Sequence, residues 1–594
     1  MKQFWITFFG SVVGVIIGSV LAVILFFFMI AGLFASALSG ADTEPPMPRG
    51  GVVLELDLRE ARLDSPSSSP FNFGGPLSIV EIVQTLQHAE GDDRVQGLLI
   101  RANEFGMAPA MAEEIRTAIS DFREAGKFVM THAQGFEGTS VTGYFAIAGS
   151  DEIWLQDTAS FTASGLAAEI PFYGGMFEQF DANPQFEQFY EYKNAANTFT
   201  ETTLTDPHRE ATLSYMNSIF DTAVTSIAAD RGMDEAAVRS VFDTAPHTAE
   251  TASEAGMIDR LGHVVEAREA ALNRIDGAGS AMSIEDYAQQ MHSWNNRPVI
   301  ALIEGQGSIV TGTADQGPFG GNEMIGGDAM AEAIEAAAND VSVRAIVIRI
   351  DSGGGSAIAS DQVWNSVIRA REAGKPVVVS MGSAAASGGY YIAAPADLIF
   401  AHNTTITGSI GVLGGKLDLS GTFALIGLNV ETLSVGGEFA TAFSGQESWT
   451  ETQREAYRQQ MADIYEDFTS RVADGRDLPM ERVLEIARGR VWTGAQALDL
   501  GLVDEIGGIR DAIDAARDLA GIAPESGVQV RRFPRQLTPY EAFSQLFGVS
   551  AENAEAVARL NALMELPEVQ AAIEARQAAQ GGELQLRSTA PQPR

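Results

Sequence analysis

The 594-residue sequence contains no cysteine, which excludes disulfide bonds, thiol catalysis and cysteine-ligated metal sites. Basic side chains are scarce: 39 Lys and Arg stand against 78 Asp and Glu, and the net charge is −39. A surface of that charge repels phosphate backbones, so nucleic acid is not an expected partner. Hydrophobic residues make up 45% of the chain, which is typical of a globular protein. The length allows two or more domains.

Charge is absent altogether from residues 4–38. Because about 20 apolar residues span a bilayer, this segment predicts one N-terminal transmembrane helix. A cleaved signal peptide is the alternative, since Ala35-Ser36-Ala37 has small residues at cleavage spacing, although its apolar region would be unusually long. Lys2 precedes the segment and Asp42 follows it. The positive-inside rule then places the N-terminus in the cytoplasm and the rest outside, in the periplasm of a bacterium.

An internal repeat organises the remainder of the chain. The pentapeptide REAGK occurs at 123–127 and again at 371–375, and GYFAIAGSDEIWL from Gly143 corresponds to GYYIAAPADLIFA from Gly389. Each copy alternates apolar strands with amphipathic helices, which predicts a parallel sheet. The sequence therefore predicts an α/β protein with two tandem domains of one fold.

The composition and the repeat together set the expected domain boundaries. These are 1–40 for the membrane anchor, 41–50 for a Pro-rich tether, 51–276 for the first repeat, 277–297 for a linker, 298–525 for the second repeat, and 526–594 for a C-terminal extension with a disordered end.

Ser387 is a candidate nucleophile in the second repeat. It follows an apolar strand that includes Val377–Val379 and precedes Gly388 and a short apolar helix. A serine at such a turn is accessible, and the Gly388 amide at the helix N-terminus can donate to negative charge. The alternative is a tight turn that only packs a helix on a sheet. In the first repeat, the serine position falls on Thr139 or Val141, so only the second repeat can hold this site.

A serine nucleophile needs a base, and the sequence offers few. Of seven histidines, only His402 lies near Ser387 in sequence, and its neighbour Asn403 suggests a solvated loop. The five lysines are Lys2, Lys127, Lys193, Lys375 and Lys416. Lys2 lies across the membrane, and Lys127 and Lys375 occupy equivalent places in the two repeats, which indicates a structural role.

Lys193 and Lys416 therefore remain as lysine candidates. Lys193 is flanked by aromatic residues that could desolvate it, and it aligns with Gly437 in the second repeat. The lysine is thus unique to the first repeat, as Ser387 is to the second, which suggests one site built across the two repeats. As a base, Lys193 would need a pKa about three units below its ordinary value of about 10.4, a shift of about 4 kcal/mol that burial could supply.

These motifs resemble the tandem-repeat form of the bacterial signal peptide peptidase (protease IV) family, whose members are Ser-Lys peptidases of the Clp-protease/crotonase fold. The matching stretches are MGSAAASGGYYIAAPAD with TGSIGV, IDSGGGSA, and YEYKNAANTFTE. The resemblance implies Ser387 as nucleophile, Lys193 as base, Gly388 and Gly355 as oxyanion donors and Ser409 as a support for the lysine.

One loop departs from the family pattern: Asp351 and Gly353 replace the usual Asn and Pro, which implies a more flexible loop at Gly355. The resemblance implies neither a metal nor a cofactor. It implies a homo-oligomer in the inner membrane that degrades remnant signal peptides and other hydrophobic peptides. The main alternative is a catalytically silent membrane scaffold of the same fold. An acyl-CoA enzyme of the crotonase type is a third possibility, but an exported domain lacks a CoA supply.

Overall fold

The computed structural model describes residues 50–66, 75–138, 141–275, 279–291, 297–314 and 323–535. In the first half, the strands are β1 (Val52–Asp57), β2 (Val95–Arg101), β3 (Phe128–Ala133), β4 (Glu152–Leu155), β5 (Ser160–Phe161), β6 (Asn183–Phe189), β7 (His247–Thr248), β8 (Arg260–Leu261) and β9 (Ser280–Ser283). The helices are α1 (Ile79–Glu90), α2 (Pro109–Glu124), α3 (Thr142–Phe145), α4 (Gly174–Gln179), α5 (Asn197–Thr200), α6 (Asp206–Arg231), α7 (Glu235–Asp243), α8 (Ala249–Glu254), α9 (Val264–Leu272) and α10 (Ile284–Gln289).

A six-stranded parallel sheet is the core of the first half, with strand order β8-β4-β3-β2-β1-β9. Its central strands are runs of Val, Leu and Ile that are buried on both faces, as expected when helices cover both sides of a parallel sheet. Ser78 begins α1 with a capping box: its hydroxyl accepts from the Glu81 amide, and the Glu81 carboxylate accepts from the Ser78 amide.

The second half repeats this order of elements. Its strands are β10 (Val299–Gln306), β11 (Ser308–Val310), β12 (Met324–Gly326), β13 (Val343–Ser352), β14 (Val377–Ala386), β15 (Leu398–Ala401), β16 (Ile406–Gly408), β17 (Val412–Asp418), β18 (Val491–Thr493), β19 (Glu505–Ile506) and β20 (Gln529–Arg532). Its helices are α11 (Gly327–Asn339), α12 (Ala357–Glu372), α13 (Gly388–Ala393), α14 (Ser420–Leu425), α15 (Glu451–Arg476), α16 (Met480–Ile486), α17 (Gly494–Asp499) and α18 (Ile509–Leu519).

The second sheet has the same parallel path as the first, β19-β15-β14-β13-β10-β20. It adds a fork, because the end of the long strand β14 leaves β15 and pairs instead with β16, which in turn pairs with β18. The two sheets correspond strand for strand, and the predicted repeat of one α/β fold is confirmed. The fork widens the sheet at the point where β14 runs into α13.

The repeats are joined by a two-stranded antiparallel sheet. Strand β6 of the first repeat pairs with β17 of the second over seven residues, from Phe189 opposite Val412 to Asn183 opposite Asp418. The chain that leaves β6 is therefore held beside the fork of the second sheet.

Two short edge strands lie where the sequence analysis placed a linker and an extension. Strand β9 pairs with β1, and β20 pairs with β10 in the same way. Neither segment has the apolar alternation that marks a strand, because each forms only the edge of its sheet. Lys127 and Lys375 are structural, as predicted: each ammonium donates to two carbonyls at the start of the neighbouring strand.

Helices in the described ranges do not combine the length and apolar character that crossing a bilayer requires. The segment 4–38, predicted as the anchor, lies outside the described residues, as does nearly all of the predicted extension at 526–594.

Candidate active site

Ser387 occupies the sharp turn between β14 and α13. Its φ of 54° with a ψ of −119° is a conformation that residues with a side chain rarely adopt, and such strain costs about 1–3 kcal/mol. The turn is held on both sides, because the Ser387 amide donates to the Gly408 carbonyl at 2.9 Å and its carbonyl accepts from the Tyr391 amide at 2.9 Å. Strained backbone of this kind persists where the surrounding structure fixes it, and it clusters at functional sites.

Lys193 reaches Ser387 from the other repeat. It directly follows the segment that leaves β6, and its Nζ lies 3.0 Å from Ser387 Oγ. The same nitrogen donates to the Ser409 carbonyl at 2.7 Å and to Ser409 Oγ at 3.0 Å. A neutral amine has two N–H donors and one lone pair, so Nζ can bond Ser409 twice and still accept a proton from Ser387.

Burial sets the electrostatics of this amine. Lys193 is 7% exposed, and burial lowers its pKa to about 7. In the described ranges, Lys193 forms no ion pair with a carboxylate. Such a pair would hold the amine protonated. The arrangement can therefore supply a neutral base within hydrogen-bond distance of a hydroxyl near pH 7.

Two backbone amides lie beside Ser387. The Gly388 amide begins α13, and a Cβ built on Gly388 would lie 3.2 Å from the Gly355 nitrogen, so the two glycines are neighbours. Ile309 bonds the loop on either side of Gly355, through the Gly354 carbonyl at 3.1 Å and the Ser356 amide at 2.9 Å. Within the described residues, neither the Gly388 nor the Gly355 amide donates a hydrogen bond. Both amides are therefore free to bind a developing oxyanion.

The loop before Gly355 approaches the serine closely. Gly354 has a φ of 108°, and a Cβ there would lie 2.7 Å from the Ser387 Cβ. Asp351, near the end of β13, accepts from the Ala384 amide of β14 at 2.9 Å. Burial and the adjacent Asp64 carboxylate raise the pKa of Asp351 to about 6. The Asp351 carboxylate thus ties the end of β13, directly before the glycine loop, to β14.

His402 is not a solvated loop residue, and that prediction was wrong. It is 2% exposed, and its Nε2 lies 3.2 Å from the Glu114 carboxylate of α2. Burial lowers the pKa of His402, but the Glu114 carboxylate outweighs this and raises the pKa above its ordinary value. The partner belongs to the other repeat, so nothing in the sequence near His402 indicates its burial.

The other candidates lie apart from the serine. Lys416 donates to the carbonyls of Ser444 and Glu447. Val141, buried directly before α3, is the structural counterpart of Ser387, which directly precedes α13. The alternative counterpart, Thr139, lies outside the described residues. Of the predicted site residues, the structure thus brings together Ser387, Lys193, Gly388, Gly355 and Ser409.

One further element contacts the lysine and was not identified from the sequence. The turn formed by residues 488–490 precedes β18 and lies against Lys193. The comparison between repeats that identified Lys193 could also have identified this turn, because the first repeat has Thr244 and Ala245 where the second has Gly489 and Arg490.

Comparison with known proteins identifies the repeats. The sequence profile described as Peptidase family S49 matches residues 121–275 and again 369–523, together more than half of the chain. A ClpP1 mutant from Listeria monocytogenes is a similar solved structure, with 16% identity and a TM-score of 0.23; the match covers 36% of this chain and 94% of that one.

Two relatives match the chain over most of its length. A protein named serine protease SPPA, chloroplastic, from Arabidopsis thaliana is 29% identical over 504 residues, which cover 82% of this chain and 72% of that protein. Protease 4 of Haemophilus influenzae is 29% identical over 476 residues, which cover 76% of this chain and 75% of that protein. The chain belongs to peptidase family S49, in the tandem-repeat form of protease 4, and is a serine protease.

Proposed function

We propose that Ser387 and Lys193 form the catalytic dyad of this protease. The observation that carries the proposal is the 3.0 Å distance between Lys193 Nζ and Ser387 Oγ in a buried site. Ser387 Oγ attacks the peptide carbonyl and its proton passes to the neutral Lys193 amine. The resulting ammonium then protonates the leaving amine. Water hydrolyses the acyl-enzyme by the same route, with Lys193 again accepting a proton.

The Gly388 and Gly355 amides are the proposed oxyanion hole. Both are unpaired in the described structure and adjoin Ser387. One such donor is worth about 3–4 kcal/mol in the transition state. Ser409 orients the lysine, because it accepts from Nζ through both its carbonyl and its hydroxyl.

Replacement of either dyad residue by alanine tests this assignment. We expect Ser387→Ala and Lys193→Ala to abolish hydrolysis of an apolar, signal-peptide-like fluorogenic peptide by the full-length protein in detergent. Lys416→Ala is the matched control and should retain activity, because Lys416 bonds only backbone carbonyls away from the serine. Activity in Lys193→Ala would overturn the dyad. An inactive wild type across a panel of apolar peptides would favour the silent scaffold instead.

The pH dependence follows from the state of the lysine. Since burial lowers the pKa of Lys193 to about 7, kcat should rise as pH increases through about 7 and the amine loses its proton. Steady-state rates between pH 5.5 and 9 measure this limb. A rate that stays constant across that range would contradict a lysine base.

We further propose that residues 4–38 anchor the chain in the inner membrane, with the repeats in the periplasm. The support is the absence of any charged residue over these positions. In a membrane fraction, the full-length chain should resist carbonate extraction, whereas a chain lacking residues 4–38 should be released. Extraction of the full-length chain by carbonate would refute the anchor.

Remnant signal peptides and other hydrophobic peptides are the proposed substrates. An anchored site lies beside the bilayer where such segments are released, and an extended peptide can dock by pairing with an exposed strand. We expect kcat/KM to fall when lysines replace leucines near the scissile bond of a test peptide. Equal turnover of charged and apolar peptides would contradict this preference.

The domain boundaries given above and a Clp-protease/crotonase fold for each repeat remain part of the proposal, as does a homo-oligomer. The support for assembly comes from the pairing of β6 in the first repeat with β17 in the second. The first repeat also has a segment equivalent to β17, and the second has one equivalent to β6, but these two segments do not pair in the described part of the chain.

A further inference from the structure

The turn at residues 488–490 forms a wall of the lysine site. Gly489 has a φ of 79°, and a Cβ built on it would lie 2.5 Å from the Lys193 Cβ. Its amide donates to the Ile410 carbonyl at 2.8 Å. The backbone of the turn is therefore fixed to the second repeat and directly contacts the lysine of the first.

The backbone of Arg490 also holds the group that binds the amine. Its carbonyl accepts from the Ser409 amide at 2.7 Å, and the Ser409 carbonyl and hydroxyl accept from Lys193 Nζ. The position of Ser409 relative to the lysine thus depends on this turn.

The Arg490 side chain reaches back to the first repeat. Its guanidinium donates to both carboxylate oxygens of Glu210 in α6, at 2.6 and 2.8 Å. It also lies over two rings, 4.9 Å from the centre of Tyr192 and 4.4 Å from the centre of Trp492. Tyr192 immediately precedes Lys193, so the guanidinium holds the segment that carries the lysine.

Arg490 is therefore connected to the amine in two ways. Its backbone contacts Ser409, which binds Lys193 Nζ, and its guanidinium contacts Tyr192, which directly precedes Lys193. Lysine cannot replace this arginine, because an ammonium can neither form the two parallel hydrogen bonds to a carboxylate nor stack flat on an aromatic ring.

The first repeat lacks this arrangement at the equivalent turn. Thr248 caps α8 as Thr493 caps α17, and counting back from these caps places Ala245 opposite Arg490. The arginine therefore occurs only in the repeat that carries Ser387.

We propose that Arg490 of the second repeat is a positioning residue for catalysis, which holds Lys193 of the first repeat and Ser409 at the correct distance from Ser387. The inference rests on the proposed dyad. Its role is separate from that of the dyad, because Arg490 bonds no reacting atom and acts through Tyr192 and Ser409.

Arg490→Lys tests the role while keeping the charge. We expect kcat to fall by roughly 10- to 100-fold, as a small misplacement of a catalytic group does, with KM changed by less than about twofold. A looser turn admits water to the Lys193 amine, so the pKa of Lys193 rises toward its ordinary value. The acid limb of kcat against pH should therefore move upward from about 7. Glu210→Gln, at a half-exposed position, should shift the limb in the same direction by less.

Arg510→Lys is the matched control. Arg510 also forms a two-bond pair across the repeats, with Glu90 at 2.6 and 3.0 Å, and a purely structural loss should be the same for both arginines. The melting temperature is measured for every variant.

The outcomes separate the two proposals. Turnover by Lys193→Ala overturns the dyad itself. If Lys193→Ala is inactive but Arg490→Lys and Glu210→Gln keep the wild-type kcat and pH limb, only the role of Arg490 falls. If Arg510→Lys loses as much kcat as Arg490→Lys and neither variant moves the acid limb, the loss is purely structural and the proposed role of Arg490 is also overturned. A fall in kcat with an upward limb in the Arg490 and Glu210 variants alone supports it.

Discussion

At the scale of single residues, the buried lysine sets a conflict between activity and stability. Burial lowers the pKa of Lys193 to about 7, whereas in the unfolded chain the amine keeps a pKa near 10.5. Between these values the unfolded state binds a proton that the folded site has released. Stability from this group therefore rises with pH through that window, and the full penalty remains below pH 7.

Lys193→Met should remove this penalty. One pKa unit corresponds to about 1.4 kcal/mol, so the variant should gain about 1–4 kcal/mol in free energy of unfolding at pH 7, less the lost bonds to Ser409. The gain should shrink at pH 10, because the amine is neutral in the folded site and the pH is close to its pKa in the unfolded chain, so less free energy separates the two states. Urea unfolding of both proteins at the two pH values measures it. A variant less stable than wild type at pH 7 would contradict this account.

The proximity of Ser387 and Lys193 could be predicted because each repeat serves as a comparison for the other. Ser387 and Lys193 each lack a counterpart in the other repeat, and that asymmetry is visible in the letters alone. The burial of His402 was not, because its partner Glu114 lies in the other repeat. Contacts between repeats leave no local pattern in a single sequence.

At the scale of secondary-structure elements, helix α2 of the first repeat is docked on β13 of the second through buried ion pairs. Arg349 in β13 is 1% exposed and donates to Glu114 at 2.6 Å and to Asp64 at 2.8 Å. Burying three charges is costly unless every one is paired. The network is thus sensitive to the loss of its single arginine.

Arg349→Met should destabilise the protein strongly, because it leaves two carboxylates buried beside each other. The expected loss is about 3–5 kcal/mol in free energy of unfolding. Arg101 occupies the same place in the first repeat and donates to Gln134 near the surface, so Arg101→Met should cost only about 1 kcal/mol. Chemical unfolding of both variants compares them. Equal losses would show that the buried network does not hold the repeats together.

At the scale of the whole molecule, the pairing of β6 with β17 has a counterpart between the repeats that does not form in the described part of the chain. Strand β6 follows α4, and β17 precedes α14. By the same order, residues 429–435 follow α14 and residues 166–172 precede α4. In the described structure neither segment is part of a strand, and Leu433 and Val435 are 95% and 100% exposed. A second copy of the chain could repeat the β6–β17 pairing there, head to tail.

This geometry makes assembly testable through two side chains. Glutamates at both positions, Leu433→Glu with Val435→Glu, would place charge in an apolar contact, so an oligomer held together by this pairing should dissociate to monomers. Val341→Glu is the matched control, since Val341 is 95% exposed but distant in sequence from both segments. Light scattering after gel filtration in detergent measures the mass. Because the proposed dyad lies within one chain, the dissociated variant should still be labelled at Ser387 by a phosphonate. An unchanged mass in the double variant would refute pairing through this segment, and loss of labelling would show that the site depends on a neighbouring copy.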